Sequence, residues 1–233
     1  MSARIASVLV LLLLVGCGAL PPADDDPVTT RATPRATGSS ELEGTDTPEE
    51  FASDIKAAQQ VAEQYWSRVF KRSGNQFEPV RELIPYEEEG EASCGGDPLP
   101  LNNAAYCSRG DFIAYDVNWA FGVFQQIGDA FLYYLLGHEY AHGIQARLGI
   151  QKEFTIQQEL QADCMAGAFI GDQARAGQLR LDKGDTDELA EGLKSVGDAP
   201  GQPWFAEGSH GSPEMRINAF ANGYRDGLKS CDL

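Results

Sequence analysis

The 233-residue chain carries 35 acidic and 18 basic residues, which gives a formal net charge of −17. Such an acidic surface repels nucleic-acid phosphates and so argues against nucleic-acid binding as a function. It also argues against electrostatic binding to anionic lipids, although a covalent lipid anchor is still compatible with it. The hydrophobic fraction of 42% is sufficient for a core, and the length suggests one domain with additional terminal segments.

The N-terminus has the pattern of a bacterial secretion signal. Arg4 supplies a positive charge, and the following run IASVLVLLLLVG is apolar but too short for a comfortable membrane span. Residues 14–17, Leu-Val-Gly-Cys, resemble a lipoprotein cleavage box, after which Cys17 would be lipidated. We therefore predict a lipoprotein signal peptide at 1–16 and an exported protein anchored through Cys17 to the outer face of a bacterial cell membrane. The alternative is an ordinary signal peptide with an incidental cysteine.

Residues 17–46 are rich in Pro, Thr, Asp, Gly and Ser and contain almost no large apolar residue. A segment of this composition buries too little surface to offset its ordering entropy, so we expect a flexible linker. Thr47 and Glu50 form a capping-box pattern with Pro48 in the first turn, which places the start of the folded domain, 47–233, at this point.

Hydrophobic periodicity predicts a mainly α fold, of the α+β type with a minimal sheet. Residues 74–110 are rich in Gly and Pro and are predicted to be irregular. DFIAYD at 111–116 alternates like one short strand, either an edge strand that could bind an extended peptide or a plain core strand. Helices are predicted at 47–71, 118–126, 129–148, 155–176, 186–197 and 212–228.

Four cysteines are left once Cys17 is assigned to the anchor, and an even number in an exported protein suggests disulfides. Cys94 and Cys107 bracket a turn-rich loop, so we expect them to pair. The pairing of Cys164 with Cys231 then follows by elimination.

The chain contains only three histidines, and two of them lie in LLGHEYAHGIQ. A spacing of i, i+4 puts His138 and His142 on one face of a helix, where both can bind one metal ion. Glu139 lies about 100° around the helix, from where it can reach a metal-bound water as a general base. The preceding residues 131–136 are all apolar, which indicates a buried helix, and a metal ion would offset the cost of burying these polar groups.

The next predicted helix contains two carboxylates at the same spacing, Glu159 and Asp163, on an apolar stripe. We predict Glu159 as the third zinc ligand, which completes the three-ligand set of catalytic zinc sites. Asp163 would accept a hydrogen bond from the outer N–H of a ligand histidine.

HEYAH followed by ELQADC resembles the neutral zinc metallopeptidase family of bacteria, and the layout is similar to that of the gluzincins. CGGDPLPLNNAAYC, DFIAYD and SHGSPEMRINAF resemble further parts of that family, so the resemblance extends from about Cys94 to Tyr224. Many members have a second histidine where this chain has Gly143. The resemblance implies a zincin-like helical core, a Zn²⁺ cofactor, a peptide or protein substrate, and the same roles for His138, Glu139, His142 and Glu159.

The role of the third histidine is open at this point. His210 lies in a Gly/Ser-rich loop and could hydrogen-bond the oxyanion of the reaction, a role that Arg216 or Tyr224 could also fill, or it could simply be exposed. Two other function classes are also open. One is a catalytically silent zinc-binding lipoprotein that acts as a binding or scaffolding partner, and the other is a structural zinc site that includes Cys164.

Overall fold

The computed structural model of the protein describes residues 47–233 apart from 204 and 207, so the predicted signal peptide (1–16), the linker (17–46) and Cys17 lie outside it. Helices dominate the described part and its strands are short, which confirms the predicted mainly α class with a small sheet. In chain order the elements are α1 (Pro48–Arg72), β1 (Glu82–Tyr86), β2 (Ser93–Cys94), β3 (Asp97–Pro98), β4 (Ala104–Cys107), β5 (Phe112–Asp116), α2 (Val117–Ile127), α3 (Ala130–Leu148), α4 (Thr155–Arg175), α5 (Asp185–Ser195), α6 (Pro213–Asp226) and a 3₁₀ helix (Leu228–Ser230).

Local sequence signals set the helix boundaries. The Thr47 side chain accepts a hydrogen bond from the backbone N–H of Glu50 at 3.2 Å and so caps α1. Ser212 caps α6 in the same way, and Gly149 ends α3 in the left-handed conformation that glycine tolerates. The observed ends of the six helices accordingly lie within two residues of the predicted ones.

Helix α3 lies at the centre of the fold. Fifteen of its 19 residues are buried, because α1, α2, α4, α5 and β4 all contact it. The apolar run at 131–136 is buried throughout, as predicted. This packing holds the backbone from which the polar side chains after this run extend.

The prediction that 74–110 lacks regular structure was wrong, because this stretch supplies four of the five strands. β5 confirms the strand predicted at 111–116, but it lies in the middle of a three-stranded sheet with the order β1-β5-β4. β1 pairs with it in parallel and β4 in antiparallel orientation. The suggestion that this strand is an edge strand is therefore also wrong. Within the described sheet, β4 is the edge next to α3.

Both predicted disulfides are present. Cys94–Cys107 connects the small β2–β3 hairpin to β4, and Cys164–Cys231 connects α4 to the residues after the 3₁₀ helix. The sequence separations of 13 and 67 residues correspond to a stabilisation of about 3 and about 4 kcal/mol in the loop-entropy picture. Because Cys164 is in a disulfide, it has no thiolate to offer, which excludes the structural zinc site that would include it.

Glycines allow α4 and α6 to pack with their backbones in contact. A Cβ atom on Gly223 of α6 would lie 1.8 Å from the carbonyl oxygen of Cys164. Cβ atoms on Gly167 and Gly171 of α4 would lie 2.1 and 2.3 Å from the carbonyl oxygens of Phe220 and Tyr224. No side chain fits at these positions unless the two helices separate.

The first prediction concerns this helix contact. Gly223→Ala should lower the free energy of unfolding by about 3 kcal/mol, because the added methyl group overlaps backbone atoms that have no room to move. Gly122→Ala is the matched control, since nothing lies within 4 Å of a Cβ atom at that position in α2 and alanine favours a helix. Urea unfolding of the three proteins measures the difference, and equal destabilisation by both variants would contradict the assignment.

Several carboxylates are close together where α1 meets the start of α3. Partial burial, together with the negative charges of Asp129 and Glu50, raises the pKa of Asp54 to about 7. Burial, with a further contribution from Asp185, also raises the pKa of Asp129. The folded protein therefore binds protons here at pH values where the unfolded chain has already released them.

The second prediction follows from this linkage. Stability should fall as the pH rises from about 4 to about 7, because the native state binds more protons than the unfolded state over that interval. Asp54→Asn should reduce this slope and raise stability at pH 8 relative to pH 5. Urea midpoints at the two pH values test this, with Asp97→Asn at an exposed strand position as the control. An unchanged slope in Asp54→Asn would contradict the prediction.

Candidate metal centre and cleft

Helix α3 brings the two predicted histidine ligands together. The Nε2 atoms of His138 and His142 lie 3.1 Å apart, with the two rings nearly perpendicular. His138 is buried and His142 is partly exposed, so the pair lies at the boundary between the core and the surface.

Glu159 reaches the same point from α4. Its carboxylate oxygens lie 3.2 Å from Nε2 of His138 and 3.3 Å from Nε2 of His142. In a tetrahedral zinc site with the usual bond lengths, the donor atoms of any two ligands are about 3.3 Å apart. The three side chains therefore form a group that could hold a metal ion, and two imidazoles with one carboxylate are a donor set that suits zinc.

Asp163 lies behind His138 as predicted. It is fully buried, and its Oδ1 accepts hydrogen bonds from Nδ1 of His138 and from the hydroxyl of Tyr134, both at 2.9 Å. The guanidinium of Arg216 on α6 donates to both carboxylate oxygens at 2.8 and 2.9 Å. Asp163 thus holds the His138 ring with Nε2 facing the ligand cluster.

The electrostatics of the cluster favour a positive charge at its centre. Burial alone would lower the pKa of His138, but the negative charges and hydrogen bonds of Asp163 and Glu159 raise it to about 10. Burial acts against ionisation of the two acids as well, yet the histidines hold the pKa of Glu159 below its usual range, and Arg216 and His138 do the same for Asp163. The negative charges that favour protonation of His138 would also stabilise a divalent cation at the centre of the cluster.

Glu139 directly follows His138 on α3 and is not one of the three side chains of the ligand cluster. It is 5% exposed, and its Oε2 accepts a hydrogen bond from the backbone N–H of Tyr106 on β4 at 2.7 Å. This bond fixes the carboxylate between the helix and the strand. The other carboxylate oxygen, Oε1, is not part of that bond.

A cleft of about 780 Å³ exposes this centre. His138, Glu139, His142 and Glu159 line it together with residues of β4 and, from the C-terminal part of the chain, His210. His210 is anchored by Asp198, which accepts a hydrogen bond from its backbone N–H at 3.2 Å and lies 3.7 Å from Nδ1 of its ring. Its side chain is about half exposed, which leaves the ring accessible from the cleft.

The contacts differ for the two other candidates for the oxyanion role. Arg216 lines the cleft, but its guanidinium is bound by Asp163, by the Tyr134 hydroxyl and by the carbonyl oxygen of Val196. Tyr224 does not line the cleft, and its ring stacks on Phe220.

Sequence reasoning missed a partner of the second histidine. Nδ1 of His142 lies 2.8 Å from Oε1 of Gln145, one helical turn further along α3. The i, i+3 spacing was visible in the sequence. A glutamine on a helix carries no charge that would mark it as functional, however, and its burial depends on tertiary packing.

Two known proteins are similar to this chain. The chain is 23% identical over 191 residues to uncharacterized protein YpfJ of Escherichia coli K12, and to the protein of the same name in E. coli O6:H1. Each alignment covers 72% of this chain and 65% of the relative, so the chain spans somewhat less than two thirds of the relatives' length. No solved structure matches the chain.

A family model described as "Putative neutral zinc metallopeptidase" matches residues 5–233. That match includes the helices that carry His138, His142 and Glu159 as well as the strands that border the cleft. The chain therefore belongs to this family.

Proposed function

We propose that this protein is a zinc-dependent peptidase that hydrolyses peptide bonds outside the cell. The observation that carries the proposal is the convergence of His138, His142 and Glu159 within 3.1–3.3 Å of one another on an open cleft. A catalytic site needs three protein ligands and space for a water or substrate, whereas structural zinc sites usually close with a fourth ligand.

The residues around the cluster have separate roles in this mechanism. A zinc ion, when bound, would supply Lewis-acid polarisation of the scissile carbonyl and lower the pKa of water toward about 7. Glu139 takes the proton from the attacking water and then delivers it to the leaving amine. The hydrogen bond from the Tyr106 N–H keeps one oxygen of this carboxylate in place during both transfers.

Strand β4 is suited to bind the substrate as an extended peptide. The carbonyl oxygen of Asn103 accepts a hydrogen bond from Asp116 of β5, and that of Cys107 accepts one from Asp111, directly before β5. Backbone groups alternate in direction along an antiparallel strand. Ala104 and Tyr106 therefore direct theirs toward the cleft, which both residues line. The N–H of Tyr106 is occupied by Glu139, so the N–H and C=O of Ala104 and the C=O of Tyr106 are available to a substrate backbone.

The proposal includes the anchor predicted from the N-terminus. Secretion through the segment 1–16 and lipidation of Cys17 would hold the domain at the outer face of the cell membrane, with 17–46 as the linker. Two disulfides support an oxidising compartment. No helix among the described residues is long and apolar enough to cross a membrane.

The third prediction tests the general base. Glu139→Gln should lower kcat for hydrolysis of an unfolded protein by roughly 10²- to 10⁴-fold. Its zinc content should be unchanged, because the amide oxygen can still accept the hydrogen bond from the Tyr106 N–H. Glu153→Gln, at an exposed position before α4, is the control, and a chelator should abolish the activity of the wild-type protein.

Two outcomes would count against this mechanism. Full activity in Glu139→Gln would overturn the role of that carboxylate. A zinc-loaded wild-type protein that hydrolyses nothing would favour the alternative of a catalytically silent zinc-binding lipoprotein that acts as a binding or scaffolding partner.

The fourth prediction concerns His210, to which we assign the hydrogen bond to the oxyanion. His210→Ala should lower kcat by roughly 10²- to 10³-fold, the usual cost of losing one such donor, and should leave zinc content unchanged because the ring is outside the ligand cluster. The test is steady-state kinetics beside a zinc assay on the same preparation. If kcat did not change, His210 would be only an exposed loop residue.

A further inference from the structure

His142 is connected to the core by a buried glutamine. Gln145 is 1% exposed, so its amide depends on protein groups for its hydrogen bonds. Its Oε1 lies 2.8 Å from Nδ1 of His142, and its Nε2 donates to the carbonyl oxygen of Gln158 at 2.9 Å and to Oε1 of Gln161 at 3.0 Å.

The next residue in this series of hydrogen bonds is Gln161 on α4, which is 6% exposed. Its Nε2 donates to the backbone carbonyl oxygens of Cys231 and Asp232 at 2.9 and 2.8 Å. The disulfide Cys164–Cys231 ties this C-terminal segment to the same helix. A continuous path of hydrogen bonds therefore leads from the C-terminus to one of the proposed zinc ligands.

The backbone carbonyl groups of Cys231 and Asp232 determine the direction of every hydrogen bond in this path. Carbonyl oxygens only accept, so the amide group of Gln161 that faces Cys231 and Asp232 must be its NH₂. Its oxygen then faces Gln145 and must accept from the NH₂ of that residue. The carbonyl of Gln158 imposes the same orientation on Gln145, whose oxygen is left to face Nδ1 of His142.

We infer that Gln145 is a positioning residue that fixes His142 in the tautomer with its proton on Nδ1, and that Gln161 holds Gln145 in the orientation required. The amide oxygen of Gln145 only accepts, so Nδ1 of His142 must be the donor. The lone pair of Nε2 then faces His138 and Glu159. This inference rests on the proposed zinc site and adds to it the residues that orient its second histidine.

The two histidines are thereby held by partners of different charge. Asp163 is an anion that raises the basicity of His138, whereas Gln145 is a neutral acceptor that orients His142 without adding negative charge. Loss of such a partner behind a metal ligand typically costs 10- to 100-fold in metal affinity.

The wild-type protein provides the first test. The chain has only three histidines, so ¹⁵N-labelled histidine side chains in the intact zinc-loaded protein give three resolvable rings by NMR, with His210 as the ring outside the cluster. We expect His138 and His142 both to carry a proton on Nδ1 and to bind zinc through Nε2. Zinc bound to Nδ1 of His142 would overturn the inference without any substitution.

Two substitutions of Gln145 distinguish its effect on the orientation of His142 from its effect on the stability of the protein. Gln145→Leu removes the acceptor and should weaken zinc binding by roughly 10- to 100-fold in a chelator competition, with loss of the single His142 tautomer. Gln145→Glu keeps an acceptor for Nδ1 but loses both donated bonds. It should therefore retain the tautomer and bind zinc within a few-fold of wild type, although its urea midpoint should be lower.

A substitution at a distant buried glutamine serves as the control. Gln173, near the end of α4, is also 1% exposed, and its side-chain oxygen accepts a hydrogen bond from Arg68 of α1. Gln173→Leu should lower stability without an effect on zinc affinity or on the His142 ring. Gln161→Leu should have a smaller effect on zinc than Gln145→Leu, because the Gln158 carbonyl still orients Gln145.

The outcomes distinguish this inference from the proposed function. The positioning role would be overturned if Gln145→Leu kept the wild-type zinc affinity and the wild-type His142 tautomer. It would also be overturned if Gln145→Leu and Gln145→Glu lost zinc affinity equally. Neither result would affect the conclusion that the wild-type protein binds zinc. A wild-type protein that binds no zinc would overturn both. If Gln145→Leu does not fold, the wild-type spectrum and the Glu variant decide the question.

Discussion

The buried carboxylate of Asp163 joins three helices at one point. It extends from α4, accepts hydrogen bonds from His138 and Tyr134 of α3, and pairs with Arg216 of α6. A buried charge is costly unless an opposite charge and hydrogen bonds surround it. Here the hydrogen bonds come from two successive turns of α3 and the opposite charge comes from α6. The orientation of His138 is therefore a consequence of how the three helices pack.

The glycines between α4 and α6 allow the helix contact that brings Arg216 to Asp163. Arg216 reaches Asp163 only because the backbones of the two helices touch at Gly167, Gly171 and Gly223. Packing at some distance from the cleft thus determines the environment of His138, one of the proposed zinc ligands. The second histidine is supported in another way, through neutral amides and the C-terminal carbonyl groups.

The features that the sequence predicted well are those determined by local geometry. A spacing of four residues on a helix was enough to place His138 with His142 and Glu159 with Asp163, and capping residues located the helix ends. Both cysteine pairs are also as expected. The distances among the cluster atoms were not predictable, because they depend on the angle between α3 and α4.

The features that were missed depend on contacts between distant parts of the chain. β1 contains Pro85 and pairs in parallel with a strand that begins 30 residues after its own start, so neither its composition nor its neighbours in sequence indicate a strand. The role of Arg216 and the burial of Gln145 and Gln161 likewise appear only once α6 and the C-terminus are in place.

One cystine lies beside β4, the strand that borders the cleft, and the other joins α4, the helix that bears Glu159, to the C-terminal residues. A freshly synthesised chain in a reducing cytoplasm would have thiols at all four positions and would lack both cross-links. Under the proposed export, the candidate metal centre would gain both cross-links only on reaching an oxidising compartment. Under the proposed peptidase function, such timing would protect the proteins of the producing cell from premature digestion.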